Sequence, residues 1–243
     1  MDGIHTTADA AEITLSRARG EELQGRPAPR VAWILPSSGA VRVKRILDIL
    51  FAALLLIALS PLMLAVALLI RCREGGPLLV RQTRIGRYGR PFPCFKFRTM
   101  VVDADRVLAD HLARDPLAGA EWASLRKLRS DPRVTAIGGI LRRTSIDELP
   151  QLLNVLRGEM SLVGPRPVVQ IELDTHYFGE AGEMYRAVRP GLTGLWQVSG
   201  RSDLSYRDRV RLDMEYVRSY SLALDLRILL RTPLAVLRAR GAC

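Results

Sequence analysis

The sequence predicts an α+β, mostly helical fold held at a membrane from one side. The expected form is membrane-monotopic, with a re-entrant helix–break–helix anchor, a small β-hairpin and amphipathic interfacial helices. Three observations predict it. A long apolar run, residues 49–70, carries cations on both flanks. Two β-prone stretches follow it across a glycine-containing turn. Most of the remaining apolar residues recur three or four apart, and the chain closes on a basic amphipathic segment.

Composition sets the outer bounds. Thirty-six Lys and Arg against 25 Asp and Glu give 243 residues a net charge of +11, yet 48% of them are hydrophobic. Mean hydropathy is +0.08. A disordered chain this charged would be poor in aliphatics. The three cysteines lie far apart with no Cys-x-x-Cys pair, which excludes a disulfide-stapled module, and three scattered histidines argue against zinc. The expected division is a flexible tail (1–40), a membrane anchor (41–75) and a folded domain with a C-terminal amphipathic segment (76–243).

The anchor comes first. Among the 22 residues 49–70 only Ser60 and Pro61 are not apolar. A straight helix of that length would run about 33 Å, enough to span a bilayer. Arg42, Lys44 and Arg45 precede it. Residues 71–100 carry eight cations against the single anion Glu74. A spanning helix shows its Lys/Arg excess on the cytoplasmic side only, and here both flanks look cytoplasmic. Ser60–Pro61 falls mid-run, where proline removes a backbone hydrogen bond and bends a helix. A re-entrant helix with both ends on one face satisfies both observations; a kinked single span is the plainer alternative. Asp48, beside Arg45 at the edge of the run, reads as part of a structural ion pair, since a lone carboxylate there is costly.

Leu78-Leu79-Val80 and Phe92/Phe95/Phe97 bracket a turn at Gly86–Gly89 and give the hairpin. Helical spacing covers 103–130, with a break at Pro116. A short apolar helix, Leu149–Arg157, ends near Gly158, and another helix covers 204–220. Residues 222–240 interleave leucines with Arg227, Arg231, Arg238 and Arg240. Such a segment fits the plane of an anionic membrane surface; an ordinary core-facing helix is the alternative.

Chemistry concentrates at Thr144-Ser145-Ile146-Asp147-Glu148-Leu149-Pro150-Gln151. Ser145-x-x-Glu148 matches a capping box, which would leave Pro150 costing a bond inside the helix. A helix beginning two residues later puts Pro150 in the free first turn and Asp147 at the N-terminus. Two adjacent carboxylates in a basic surround make a candidate metal and phosphate site. Gly164-Pro165-Arg166-Pro167, Arg189-Pro190-Gly191 and Gly200-Arg201 are turns that present guanidiniums, which suit bidentate phosphate binding. Lys96 and Arg98 add two cations on the second strand. Neither Gly-x-x-x-x-Gly-Lys-Ser/Thr nor Gly-x-Gly-x-x-Gly is present, so the familiar nucleotide folds lack support.

Together these stretches resemble the polyprenyl-phosphate hexose-1-phosphate transferases, the monotopic phosphoglycosyl transferases or bacterial sugar transferases. The matching strings are Lys44-Arg45-Ile-Leu-Asp48 with Ser60-Pro61, Lys96-Phe-Arg98-Thr-Met, Leu141 through the Gly164-Pro-Arg166-Pro turn, Arg189-Pro-Gly through Arg201, and Asp213 through Asp225-Leu. They cover residues 41–238. The 103–130 helical stretch with the following Asp131-Pro132-Arg133 looks like the exopolysaccharide-initiating subgroup, and the 40-residue tail like a short, catalytic-domain form.

The resemblance implies an enzyme at the bacterial inner (cytoplasmic) membrane, its catalytic domain on the cytoplasmic face and its anchor bent at Ser60–Pro61. It implies transfer of a sugar 1-phosphate from a UDP-sugar to undecaprenyl phosphate with release of UMP. Asp147 would be the nucleophile and Glu148 the Mg²⁺ ligand. Lys96, Arg98, Arg142, Arg166 and Arg201 would contact phosphate or nucleotide. Galactose 1-phosphate leads as cargo, with glucose or another hexose as the alternative, and direct single displacement as the mechanistic alternative. Partners are the two substrates and the membrane surface, with a homo-oligomer left open. At an ordinary carboxylate pKa, Asp147 would be ionised at neutral pH and need no general base. A membrane-tethered nucleic-acid binder would also use +11, but aromatics total only 6%, leaving few stacking platforms.

Overall fold

The computed structural model describes residues 38–125, 128, 130–200 and 204–237. Arg201 and most of the N-terminal tail lie outside them. The order of elements is α1 (Ser38–Glu74), β1 (Leu79–Ile85), a 3₁₀ turn (Arg87–Gly89), β2 (Pro91–Phe97), α2 (Ala104–Arg114), α3 (Pro116–Leu125) and α4 (Ala136–Thr144). A second 3₁₀ turn (Ile146–Glu148) leads into α5 (Gln151–Arg157) and β3 (Ser161–Val163). Then come α6 (Gln170–His176), α7 (Glu180–Ala187), β4 (Gly191–Thr193), α8 (Leu195–Val198), α9 (Tyr206–Arg218) and α10 (Leu222–Leu237). The expected mostly helical α+β class and the hairpin are both present.

Helix α1 corrects one expectation. No non-helical residue separates two helices at Ser60–Pro61; helical backbone runs through Pro61. The reason is local. Pro61 has no N–H for the carbonyl four residues back, that of Ile57. The Ser60 hydroxyl donates to that same carbonyl at 2.7 Å, so the lost bond is replaced in place. The middle of α1 faces outward: Leu54, Ile57, Leu62 and Leu64 are exposed. Each of its two ends buries one face. Ala52 packs in the main core with Leu152, Val155 and Met160, while Val66 and Ile70 pack with Phe97 of β2 and Leu141 of α4.

Ion pairs fix both ends of α1. Lys44 Nζ donates to Asp225 of α10 at 2.6 Å and lies 3.7 Å from Asp48. Asp48 also accepts from the Leu162 N–H. The anchor-edge carboxylate is thus paired as expected, with Lys44 as its partner. Arg45 instead donates to the carbonyls of Val155 and Leu156 at the end of α5. At the other end, Arg98 is buried, donates to the Pro77 carbonyl at 2.7 Å and to the Gly75 carbonyl, and lies 3.6 Å from Glu74.

β1 and β2 pair antiparallel from Leu79↔Phe97 to Ile85↔Pro91. Pro116 does break 103–130, because it opens α3 at a position whose N–H needs no helical partner. β3 and β4 pair in parallel, setting Gly164 against Gly191. A Cβ on Gly191 would lie 2.1 Å from the Gly164 nitrogen, so glycine is required there. Along α10, Leu222, Leu226, Leu230, Leu234 and Leu237 form an exposed ridge, while Asp225 and Ile228 face inward. The alternative of an ordinary core-facing helix fails for that ridge.

Candidate active site

The turn carrying Asp147 is set by three devices. Helix α4 ends on Ser145 in the left-handed region, φ 56°, an uncommon conformation for a non-glycine residue. The chain then takes one 3₁₀ turn and enters α5 through Pro150. Ser145 makes no side-chain cap to this turn, so the capping-box reading is not realised and Pro150 sits before the first helical residue. Finally, Asn154, fully buried, accepts from the Phe95 N–H and donates to the Pro93 carbonyl and Glu159. It ties α5 to β2 and thereby the dyad to Lys96. Sequence reading missed this role; a lone asparagine in an apolar helix was its only signal.

Lys96 bridges the dyad. Its Nζ is 2.6 Å from Glu148 Oε1 and 3.8 Å from Asp147 Oδ2. Asp147 is 7% exposed, whereas the Glu148 side chain keeps a third of its surface open. Arg142 is anchored by Nε donation to the Thr99 hydroxyl at 2.8 Å and interacts electrostatically with Asp147. Burial pulls its guanidinium below the ordinary value, with Asp147 and Asp131 opposing.

Burial also pushes the Asp147 carboxyl up to about 6, with Lys96 and Arg142 opposing and Glu148 adding to the rise. The expectation of an ordinary pKa is therefore corrected: desolvation outweighs two neighbouring cations. The buried Cys94 thiol is pushed up to about 11, which leaves it a poor nucleophile. It feels Lys96 and Glu148, and also Arg84 and Arg166. The Arg166 guanidinium lies over the Trp196 ring at 5.6 Å, with Arg209 over that ring at 5.2 Å.

The structure thus brings Asp147, Glu148, Lys96 and Arg142 together, whereas Arg166 lines a cavity with Trp196, Arg209 and Asp213. Arg98 does not join them; it is committed to residues 74–77. Among the described residues, no group of three or more His, Cys, Asp or Glu could hold a metal. Two adjacent carboxylates with Glu148 partly open still fit Mg²⁺, which takes hard oxygen donors and usually binds through one or two carboxylates plus substrate phosphates.

A buried, cation-flanked carboxylate beside a long apolar helix suits group transfer at a membrane. The chain belongs to the bacterial sugar transferase family, matching it over residues 39–239. It is similar to the exopolysaccharide production protein ExoY of Sinorhizobium fredii (strain NBRC 101917 / NGR234), 50% identical over 222 residues that cover 89% of this chain and 97% of the relative. The undecaprenyl-phosphate galactose phosphotransferase of Salmonella typhimurium is 48% identical over 200 residues, covering 82% of this chain and 41% of the relative. The UDP-glucose:undecaprenyl-phosphate glucose-1-phosphate transferase of Caulobacter vibrioides is 44% identical over 226 residues, covering 90% and 76%.

Proposed function

We propose that this protein transfers a sugar 1-phosphate from a UDP-sugar to undecaprenyl phosphate on the cytoplasmic face of the bacterial inner membrane, initiating exopolysaccharide assembly. The observation that carries the reading is the placement of Asp147: nearly buried, flanked by Lys96 and Arg142, with Glu148 partly open beside it. Galactose 1-phosphate is the leading cargo, with glucose or another hexose as the alternative; relatives are named for galactose and for glucose transfer.

In the first step an Asp147 carboxylate oxygen attacks the phosphorus bonded to the sugar. An oxygen–phosphorus bond forms, the diphosphate bridge breaks, and UMP leaves with the bridging oxygen. In the second, an oxygen of the lipid phosphate attacks the same phosphorus and Asp147 departs as carboxylate. No proton needs to move provided Asp147 starts ionised, so a raised pKa makes the rate pH-dependent near 6. A desolvated carboxylate is also the more reactive one. Lys96 and Arg142 offset its repulsion from the diphosphate and stabilise charge on the departing UMP. Glu148, with Asp147 at its side, would hold Mg²⁺, which supplies further neutralisation of the diphosphate. Arg166 and Arg201 remain proposed phosphate or nucleotide contacts.

The test is UMP release from UDP-galactose and UDP-glucose, with and without undecaprenyl phosphate. The expected result is a stoichiometric burst of UMP without acceptor and none from Asp147→Asn. An Asp147→Asn protein that releases UMP at the wild-type rate overturns the assignment. Turnover only with acceptor present would replace two steps by a single displacement.

A further inference from the structure

A second cationic centre lies at the other end of α5. Asp147 precedes the first residue of α5, while Arg45 holds the carbonyls of its last turn. Seven residues of helix place the two about 10 Å apart or more. There Arg45, Arg87 and Arg189 line one open cavity, with about 450 Å³ of free space including its mouth. Arg87 Nε donates to the Ala187 carbonyl at 2.9 Å and Arg189 Nε to the Gly158 carbonyl at 2.7 Å. Among the described residues, none of the three guanidiniums has a carboxylate within salt-bridge distance. Each guanidinium has five N–H groups, so most of these donors are unused.

The surrounding charges do not cancel the three arginines. Asp48 lines the same cavity, but its Oδ1 accepts from Leu162 and lies beside Lys44. Asp225 is taken by Lys44 and the Tyr216 hydroxyl. Lys44, Arg45, Arg87 and Arg189 against Asp48 and Asp225 leave a surplus of two positive charges. Burial and then Arg87 and Arg45, in that order, hold the Arg189 guanidinium below its ordinary value. Like charges are held close, and Asp48 offsets them only in part.

The position of the mouth identifies the anion's carrier. Val41, Lys44, Arg45 and Asp48 turn one face of α1 into the cavity. On the other face Val43, Ile46, Leu47 and Leu50 are exposed and apolar, and the apolar run begins at Ile49. A phosphate seated here would have hydrocarbon-matching surface directly beside it. Basic pockets at the cytoplasmic end of membrane helices suit anionic lipid headgroups, and guanidinium forks suit phosphate oxygens.

We infer that Arg45, Arg87 and Arg189 form a binding site for the phosphate of an anionic membrane lipid, separate from the Asp147 centre. Occupancy neutralises the arginine cluster and fixes the α1 entrance, the end of α5 and the β1–β2 turn to the bilayer surface. The site does not depend on Asp147 being the nucleophile.

Thermal unfolding of the full-length protein in neutral detergent tests it, with phosphatidylglycerol, phosphatidylcholine or inorganic phosphate added at equal phosphate concentration. Phosphatidylglycerol is expected to raise the midpoint by several degrees, and the other two to leave it within about one degree. Arg87→Ala and Arg189→Ala should each lose at least half of that shift and the double variant all of it. Arg42→Ala, an exposed cation at the same helix end, should keep it. Arg87→Lys/Arg189→Lys, which retains charge and fold but not the forks, should need several-fold more phosphatidylglycerol for the same shift. An undiminished shift in both double variants overturns the site. An equal response to inorganic phosphate overturns its assignment to lipid.

Discussion

At Asp147 burial and charge compete, and burial wins. The carboxyl rises to about 6 despite Lys96 at 3.8 Å and Arg142 nearby. A folded-state pKa above the ordinary 3.8 means the native state holds its proton more tightly than the unfolded chain. Stability therefore falls as pH rises between about 4 and 6 and stays lower above. The penalty at neutral pH is on the order of 2–3 kcal/mol, and asparagine does not carry it. Without Mg²⁺, Asp147→Asn should melt several degrees above wild type at pH 7.5, and the gap should narrow to about half at pH 5. The same titration sets activity: kcat/KM for the donor, which reports the free enzyme, should climb between pH 5 and 7 with a midpoint near 6. A flat profile across that range would mean that the carboxyl is already ionised at pH 5 in the working enzyme. The two carboxylates and Lys96 were legible from the sequence, because residue type and spacing point to charge chemistry. The pKa was not, because desolvation depends on what packs over the turn.

At the scale of elements, several glycine and proline signals held, the Ser60–Pro61 break and the Ser145 capping box did not, and the non-local contacts were invisible. Gly158 ends α5 with φ 83°, Pro116 opens α3, and Gly86–Gly89 turns the hairpin; each is a property of a few adjacent residues. Arg98 is a cation two residues beyond Lys96, where strand alternation alone would put both on one face, yet β2 ends at Phe97 and Arg98 turns to the end of α1. The pairing of the Gly164 and Gly191 turns, 27 residues apart, likewise appears only in three dimensions. One such contact bears directly on the site. A Cβ on Gly138 of α4 would fall 2.1 Å from the Thr99 carbonyl oxygen, and Thr99 anchors Arg142. Gly138→Ala should push α4 off the end of β2, costing about 1–3 kcal/mol and lowering kcat/KM at least tenfold as Arg142 shifts. Gly139, with nothing within 4 Å of its Cβ position, is the control. Gly139→Ala should be neutral or stabilising by up to about 1 kcal/mol. Equal behaviour of the two variants in thermal unfolding and turnover would detach Arg142 from the α4–β2 contact.

For the molecule as a whole, the unusual pairing of +11 with an apolar composition becomes a question of where each end of α1 goes. Lys44, Arg45 and Asp48 engage α5, α10 and the backbone of Leu162. Val66, Ile70 and Glu74 engage β2, α4 and Arg98. Both groups of partners belong to one folded unit rich in charge, which a bilayer core excludes. A straight spanning helix would carry one end about 30 Å away across the hydrocarbon and strand either the Lys44–Asp225 pair or the Arg98–Glu74 pair. A re-entrant α1 would keep both pairs: its ends are expected to lie at one surface, with the exposed Leu54–Leu64 segment dipping into a single leaflet and the leucine ridge of α10 beside it. Cysteine labelling measures this directly. Cys72 is exposed at the far end and serves as the native probe; Arg42→Cys in a Cys72→Ser/Cys243→Ser background serves at the near end. In sealed inverted membrane vesicles, whose outer face is cytoplasmic, a membrane-impermeant maleimide should modify both positions to the same extent. In right-side-out spheroplasts it should modify neither until the membrane is permeabilised. Modification of one position in each preparation would make α1 a kinked span and require at least one of the two buried ion pairs to be absent in the membrane.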